Sequence, residues 1–239
     1  MRLDTFLAER EGISRTRAQN LIKTGGVTVG GIAVDKPSFE VGEGAKIAVT
    51  DTLKYASLGG LKLENAIQTF SVSIKDKKCI DVGAANGGFT DCLLRMGARE
   101  VCAVDLTIAF PEQLSHDPRV RVFDGVNVKD LPEVFSNEHF DFLCVDLSFI
   151  SLCPLFPLLS SLITETGVMI ALFKPQFEVG KAALPKSGVV KDRKVLQKAF
   201  DRFLLQAELA GLKMLGECDV PAVFPDKNRE RTVLFKKIQ

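Results

Sequence analysis

The spacing of apolar positions changes near residue 57. Before it, Leu3, Phe6 and Leu7, then Ala18, Leu21 and Ile22, recur every three or four residues, the period of amphipathic helices. Ser14 is placed to cap the second helix, and Gly25-Gly26 to end it. Val27-Thr28-Val29, a Gly30-Gly31 turn, Ile32-Ala33-Val34 and Lys46-Ile47-Ala48-Val49 then read as short strands. Beyond residue 57, continuous apolar runs alternate with helical patterns. KKCIDV, EVCAVDL, RVRVFDG, FDFLCVDL and VMIALFKP are the strand runs; a helix follows the first, a long helix lies near 191–210, and two strand signals come last. This predicts an α/β fold class, a mostly parallel sheet with helices on both faces, preceded by a small α+β segment.

Such sheets bind ligands at the carboxyl ends of their strands, so the residues ending each run carry the chemistry. The first run ends at Asp81-Val82-Gly83 and continues as Gly83-Ala84-Ala85-Asn86-Gly87-Gly88, then Phe89 in a helix signal. The loop lacks the Gly-Lys-Ser/Thr of a triphosphate clamp and the spacing of a dinucleotide fingerprint. Its two readings are a tight strand-to-helix turn and a small-residue cradle pressing a ligand against backbone amides. Three glycines in six positions favour the cradle. The second run ends at Asp105, suited to accept both hydroxyls of a ribose. Together these suggest a nucleoside cofactor without pyrophosphate, and S-adenosylmethionine fits best. Expected contacts are Asp81, Gly83, Ala84, Gly87, Gly88, Phe89 and Asp105, with Asn127 near the adenine or simply a polar loop residue. The fourth run ends at Asp146 and the fifth, Val168 to Phe173, at Lys174. These two charges point into one cleft, as a structural salt bridge or as catalytic groups.

Composition narrows the partners. The 239 residues carry 31 basic and 30 acidic side chains, so nucleic-acid binding must come from a local patch. Arg15, Arg17 and Lys23 on the second helix, with Arg10 before it, form such a face, although a solvated helix would look the same. Six cysteines without a Cys-x-x-Cys pair, and only His116 and His139, read as buried thiols with no metal site. The charged N-terminus is no signal peptide, and FISLCPLFPLLSSLI is too short to span a bilayer, so a cytoplasmic protein without stable membrane association is expected.

DVGAANGGFTDCLL, VDLSFISL, FKPQFEVGK and SGVVKD resemble the TlyA family, as do RLDTFLAEREGISRTRAQNLIKTGGVTV and SLGGLKLENAI. That family joins a small ribosomal-protein-type RNA-binding module to an FtsJ-like, Rossmann-like class I methyltransferase domain, here expected at 1–54 and 55–239. The resemblance implies methyl transfer from S-adenosylmethionine to a ribose 2′-hydroxyl, usually of cytidine in ribosomal RNA, with ribosomal RNA or subunits as partners. It implies a catalytic set of Lys62, Asp146, Lys174 and Glu230, and RNA contacts by Arg2, Arg15, Arg17 and Lys23. Glu230 sits in PDKNRERTV, which follows the family loosely; an ordinary charged residue before a strand is its alternative. After Asp105, LTIAFPEQLSHD departs from the family's glycine- and glutamine-containing stretch.

Two base-methylation readings fail on residues. Asp146-Leu147-Ser148-Phe149 is not the Asp/Asn-Pro-Pro-aromatic signature, and Cys153 precedes Pro154 rather than following it. A non-catalytic RNA-binding protein with a retained fold, and a membrane-active haemolysin, are the remaining rivals. The haemolysin reading lacks a secretion signal, a span or a basic amphipathic helix.

Overall fold

The computed structural model describes residues 1–180, 183–221 and 228–238. The N-terminal unit begins with α1 (Leu3–Glu11) and α2 (Arg15–Lys23), then β1 (Val27–Val29), β2 (Ile32–Ala33) and β3 (Ile47–Val49). Ser14 caps α2 by accepting from Arg17 N at 3.2 Å. Gly30 and Gly31, at φ +60° and +83°, make the β1–β2 turn, which only residues tolerating positive φ enter without strain. Leu3, Leu7, Ala18, Leu21, Ile22, Val27 and Val34 close a core of their own.

The larger unit continues with α3 (Gly59–Thr69), β4 (Lys78–Val82), α4 (Gly88–Arg95), β5 (Glu100–Asp105), α5 (Glu112–Ser115), β6 (Val120–Asp124), α6 (Leu131–Val134) and β7 (Phe140–Val145). It ends with α7 (Phe156–Ser161), β8 (Ile163–Phe173), α8 (Pro175–Glu178), α9 (Arg193–Leu209), β9 (Leu212–Asp219) and β10 (Arg231–Lys237). Among the described residues its sheet has the order β6-β5-β4-β7-β8-β10-β9. The first five strands are parallel, and β10 enters antiparallel between β8 and β9. The fifth strand starts earlier than its apolar run: Ile163 already pairs with Phe140, before a shift in register. Both faces are covered, one by the phenylalanine-rich core of α7 and α9, the other by α3 and α4. All six cysteines are free thiols, and burial pushes those of Cys79, Cys92 and Cys102 up to about 12.

The chain order reverses direction between β4 and β7, so a crevice opens at their carboxyl ends. There Asp146 N donates to Val82 O at 3.0 Å. A Cβ on Gly83, at φ +93°, would stand 2.6 Å from Asp146 O. Glycine is therefore what lets the first loop touch the strand carrying the acid.

Candidate functional site

Lys174 leaves the end of β8 and meets Asp146, at the end of β7, at 2.5 Å. Its ammonium also donates to Ser148 Oγ at 3.1 Å. A lysine has three N–H directions, so one remains for a ligand. Lys62, on the second turn of α3, meets Glu230 at 2.5 Å, a contact between residues 168 apart in the chain. Burial pulls the Lys62 pKa down, and the carboxylates of Asp146 and Glu230 outweigh it, holding the group above its ordinary value. The four side chains thus form one alternating run, Lys174, Asp146, Lys62 and Glu230. The loosest of the four sequence matches, Glu230, closes it.

The cofactor candidates divide by exposure. Gly83 and Asp105 are partly open, and Asn127 is exposed. The Asp105 carboxylate accepts from Ala85 N at 3.0 Å, Leu106 N at 2.6 Å and Thr107 N at 3.4 Å. With about four lone-pair positions and three in use, it keeps room for one hydroxyl of a ribose. Asn127 Oδ1 accepts from Lys129 N at 3.0 Å, capping a short 3₁₀ turn. That is the polar-loop role in this structure.

The other candidates lie beneath the loop surface. Asp81 is wholly buried, accepting from Thr90 Oγ1 at 2.7 Å and Cys144 Sγ at 3.7 Å, so it ties β4 to α4 and presents nothing to solvent. Ala84 and Phe89 are buried too. Gly87, at φ +80°, lies under Leu114 and Phe110, whose side chains a Cβ would meet at 2.3 Å and 3.0 Å. Gly88 lies against Ser57, whose hydroxyl a Cβ would meet at 2.2 Å. Close packing at Gly87 and Gly88 thus requires glycine there whether or not the loop also holds a ligand. The open part of the loop is Gly83, Ala85 and Asn86. The segment that departs from the family folds back here, with Ala109 N on Ala85 O at 2.9 Å and Ile108 N on Asp124 Oδ1 at 2.7 Å.

Spacing did not reveal two further features. Phe149 is 93% exposed at φ +68°, tilted against Phe177 with centroids 5.4 Å apart. Such strain in a non-glycine residue collects at functional sites. Glu178 is buried and grips the 151–153 turn, accepting from Leu152 N at 2.7 Å, Ser151 Oγ at 2.6 Å and Cys153 Sγ at 3.2 Å. It fixes the loop that carries Ser148 and Phe149. Of these, only FKPQFEVGK gave a signal, and it did not separate Glu178 from its neighbours.

In the N-terminal unit, Arg2 grips both oxygens of Asp4 at 3.0 Å, and Arg15 Nε reaches Asp4 at 3.0 Å. Both guanidiniums stay about half exposed, and Lys23 is exposed. Arg17 differs. It pairs with Asp51 at 2.5 Å and donates to Ala56 O at 3.0 Å, so it ties α2 to the start of the larger unit while staying partly open. Among the described residues, Glu100, Cys102 and Glu138 cluster as cation ligands would, yet Arg121 and Lys78 already sit on those carboxylates. No helix there is long and apolar enough to cross a membrane.

The sequence pattern of the FtsJ-like methyltransferase family matches residues 55–237, and that of the S4 domain matches residues 1–47. The chain is 33% identical over 234 residues to the 16S/23S rRNA (cytidine-2'-O)-methyltransferase TlyA of Mycobacterium tuberculosis, covering 96% of this chain and 87% of that one. It is 35% identical over 211 residues to Hemolysin A of Brachyspira hyodysenteriae, covering 85% and 88%. A solved Streptococcus thermophilus structure with a provisional hemolysin label superposes with a TM-score of 0.79 at 31% identity, covering 100% of this chain and 89% of that one.

Proposed function

This chain belongs to the FtsJ-like methyltransferase family, and on that footing we propose that it methylates a ribose 2′-hydroxyl, of cytidine in ribosomal RNA, in the cytoplasm. The working units are residues 1–54, which hold the RNA, and 55–239, which hold the reacting groups. One observation carries the reading. The run of Lys174, Asp146, Lys62 and Glu230 stands at the strand reversal, where Gly83 touches Asp146.

Gly83, Ala85, Asn86 and Asp105 form the strip that suits S-adenosylmethionine, which supplies an electrophilic methyl group when bound. Lys174 meets the acceptor hydroxyl with its remaining N–H direction, as base or as the donor that holds the oxygen. Asp146 and Ser148 fix its ammonium. Lys62, held charged, orients Asp146, and Glu230 anchors Lys62. Negative charge growing on the ribose oxygen meets fixed cations in a partly dry cleft, the setting in which electrostatic stabilisation is large. Phe149 offers an exposed ring beside Lys174 for a base turned out of its stack, since a paired ribose is shielded.

The decisive experiment is tritium transfer from labelled S-adenosylmethionine to purified ribosomal subunits and naked ribosomal RNA. Alkaline digestion that leaves the label in a resistant dinucleotide supports 2′-O-methylation; label in an alkali-sensitive mononucleotide defeats it. A second reading, an RNA-binding protein without transfer, is favoured by one observation: Phe110 and Leu114 lie over Gly87. Absence of both label and cofactor binding in calorimetry would select it.

A further inference from the structure

SGVVKD has no role in the chemistry above, yet it builds the wall of a cleft at the edge of the site. This cleft, of about 680 Å³, lies where β8 ends, β9 ends and β10 begins. Its floor includes Phe173, Val190 and Leu196. Asn228 holds the wall in place: Oδ1 accepts from Val190 N and Nδ2 donates to Gly188 O, each at 2.8 Å. Loop 188–190 is thereby pinned to the entrance of β10.

The charges around the cleft are one-sided. Lys191, Arg193, Arg229 and Arg231 line it against a single acid, Asp219. Arg231 is already balanced by Glu217 at 3.2 Å and Asp219 at 3.8 Å. Asp192 uses its carboxylate to cap α9, accepting from Lys194 N at 2.8 Å. Among the described residues no acid pairs with Lys191, Arg193 or Arg229, and all three are exposed. In a chain of net charge +1 this concentration is local.

Position says what it is for. Pro175 and Phe173, in the cleft, flank Lys174; Arg229 and Arg231 flank Glu230. The sheet order puts the cleft beyond β8, and the glycine loop and Asp105 on the other side of β7. A methyl acceptor must approach from the side the cofactor strip leaves free. Resting on the reading of an RNA enzyme, we propose that this cleft binds the phosphodiester backbone of the strand flanking the target ribose, with Lys191, Arg193 and Arg229 as phosphate contacts. Guanidiniums match phosphate oxygens in pairs, and the apolar floor suits sugars and base edges.

The test measures binding of a fluorescein-labelled single-stranded RNA by anisotropy over a salt series, with methyl transfer to ribosomal subunits alongside. Lys191→Glu/Arg229→Glu is compared with Lys213→Glu/Lys236→Glu, the same charge change at the opposite end of β9 and β10. The cleft variant is expected to lose about tenfold or more in RNA affinity, and its slope of log affinity against log salt to flatten by about 1.4. Its cofactor affinity and melting temperature stay unchanged, and the control loses far less. Equal losses in both variants, or no loss in the cleft variant, overturn the proposal while leaving a methylating wild type intact. RNA binding that depends on the cleft without any methyl transfer keeps the proposal and removes the enzyme reading. A wild type that binds no RNA defeats both.

Discussion

Among the described residues, each unit of the molecule buries one aspartate completely, Asp4 in the N-terminal unit and Asp81 under the glycine loop. Their surroundings drive them in opposite directions. The Arg2 guanidinium holds the Asp4 carboxyl well below the usual range against its own burial, with Gln19 and Arg15 adding to the effect. Asp81 has neutral partners, the Thr90 hydroxyl and backbone N–H and the Cys144 thiol, and burial pushes it up to about 7, with the Asp146 charge contributing. Burial alone does not decide what a carboxylate does; the presence of a cation does. Asp146, partly open, also pairs with a cation, but that cation, Lys174, is itself nearly buried. Asp4 holds guanidiniums that display charge to solvent, and Asp146 holds an ammonium kept inside for a reacting group.

Removing the inner cation gives the largest expected effect. Lys174→Met should lower single-turnover methyl transfer by about a thousandfold, within the span of positioned acid–base groups. Cofactor affinity in calorimetry should stay within a few-fold, because no cofactor candidate touches Lys174. Equal loss of cofactor binding would show that the ion pair shapes the whole cleft. The wild-type pH–rate profile then divides the two roles of Lys174. A rate rising with pH through a lysine titration marks a base, and a flat profile marks a donor that only holds the oxygen.

Asp81 gives the second effect, in stability. Its pKa is raised, so the folded chain binds more protons than the unfolded one between about pH 4 and 7, and stability falls as pH rises through that window. From pH 5 to 7 the fall is about 2 kcal/mol. Urea melts of Asp81→Asn should lack this component. Parallel wild-type and variant curves over that range would mean that Asp81 is already charged and solvated.

Much of this was legible because it depends on near neighbours in the chain. Apolar periodicity marked Leu3, Leu7, Ala18, Leu21 and Ile22, all buried. Continuous runs marked the parallel strands, and their last residues marked Asp146 and Lys174. What was not legible depends on approach between distant segments. Glycine content reads as a ligand cradle, but that Gly87 and Gly88 also lie against Leu114, Phe110 and Ser57 is not visible in it. The pairing of Arg17 with Asp51, 34 residues away, has no trace in the spacing of charges. The exposed ring of Phe149 follows from a backbone conformation that residue type does not reveal. The short fifth apolar run hid the start of β8 because Ile163 pairs beyond a change of register.

The smallest expected effect tests the charge-displaying side of the contrast. A carboxylate accepting from Arg2, Arg15 and Gln19 contributes about 1.5 kcal/mol net, since its guanidiniums are half exposed and screened. Asp4→Asn should therefore loosen α1 and α2 by that amount at pH 6, read as faster amide hydrogen exchange in the intact chain. The sign with pH is opposite to that of Asp81. A depressed carboxyl contributes stability above its unfolded pKa of about 3.9 and loses it as pH falls below. The gap between wild type and Asp4→Asn should thus close on acidification. A gap that persists in acid would mean that Asp4 acts by shape and neutral hydrogen bonds, and the contrast between the two buried aspartates would then rest on Asp81 alone.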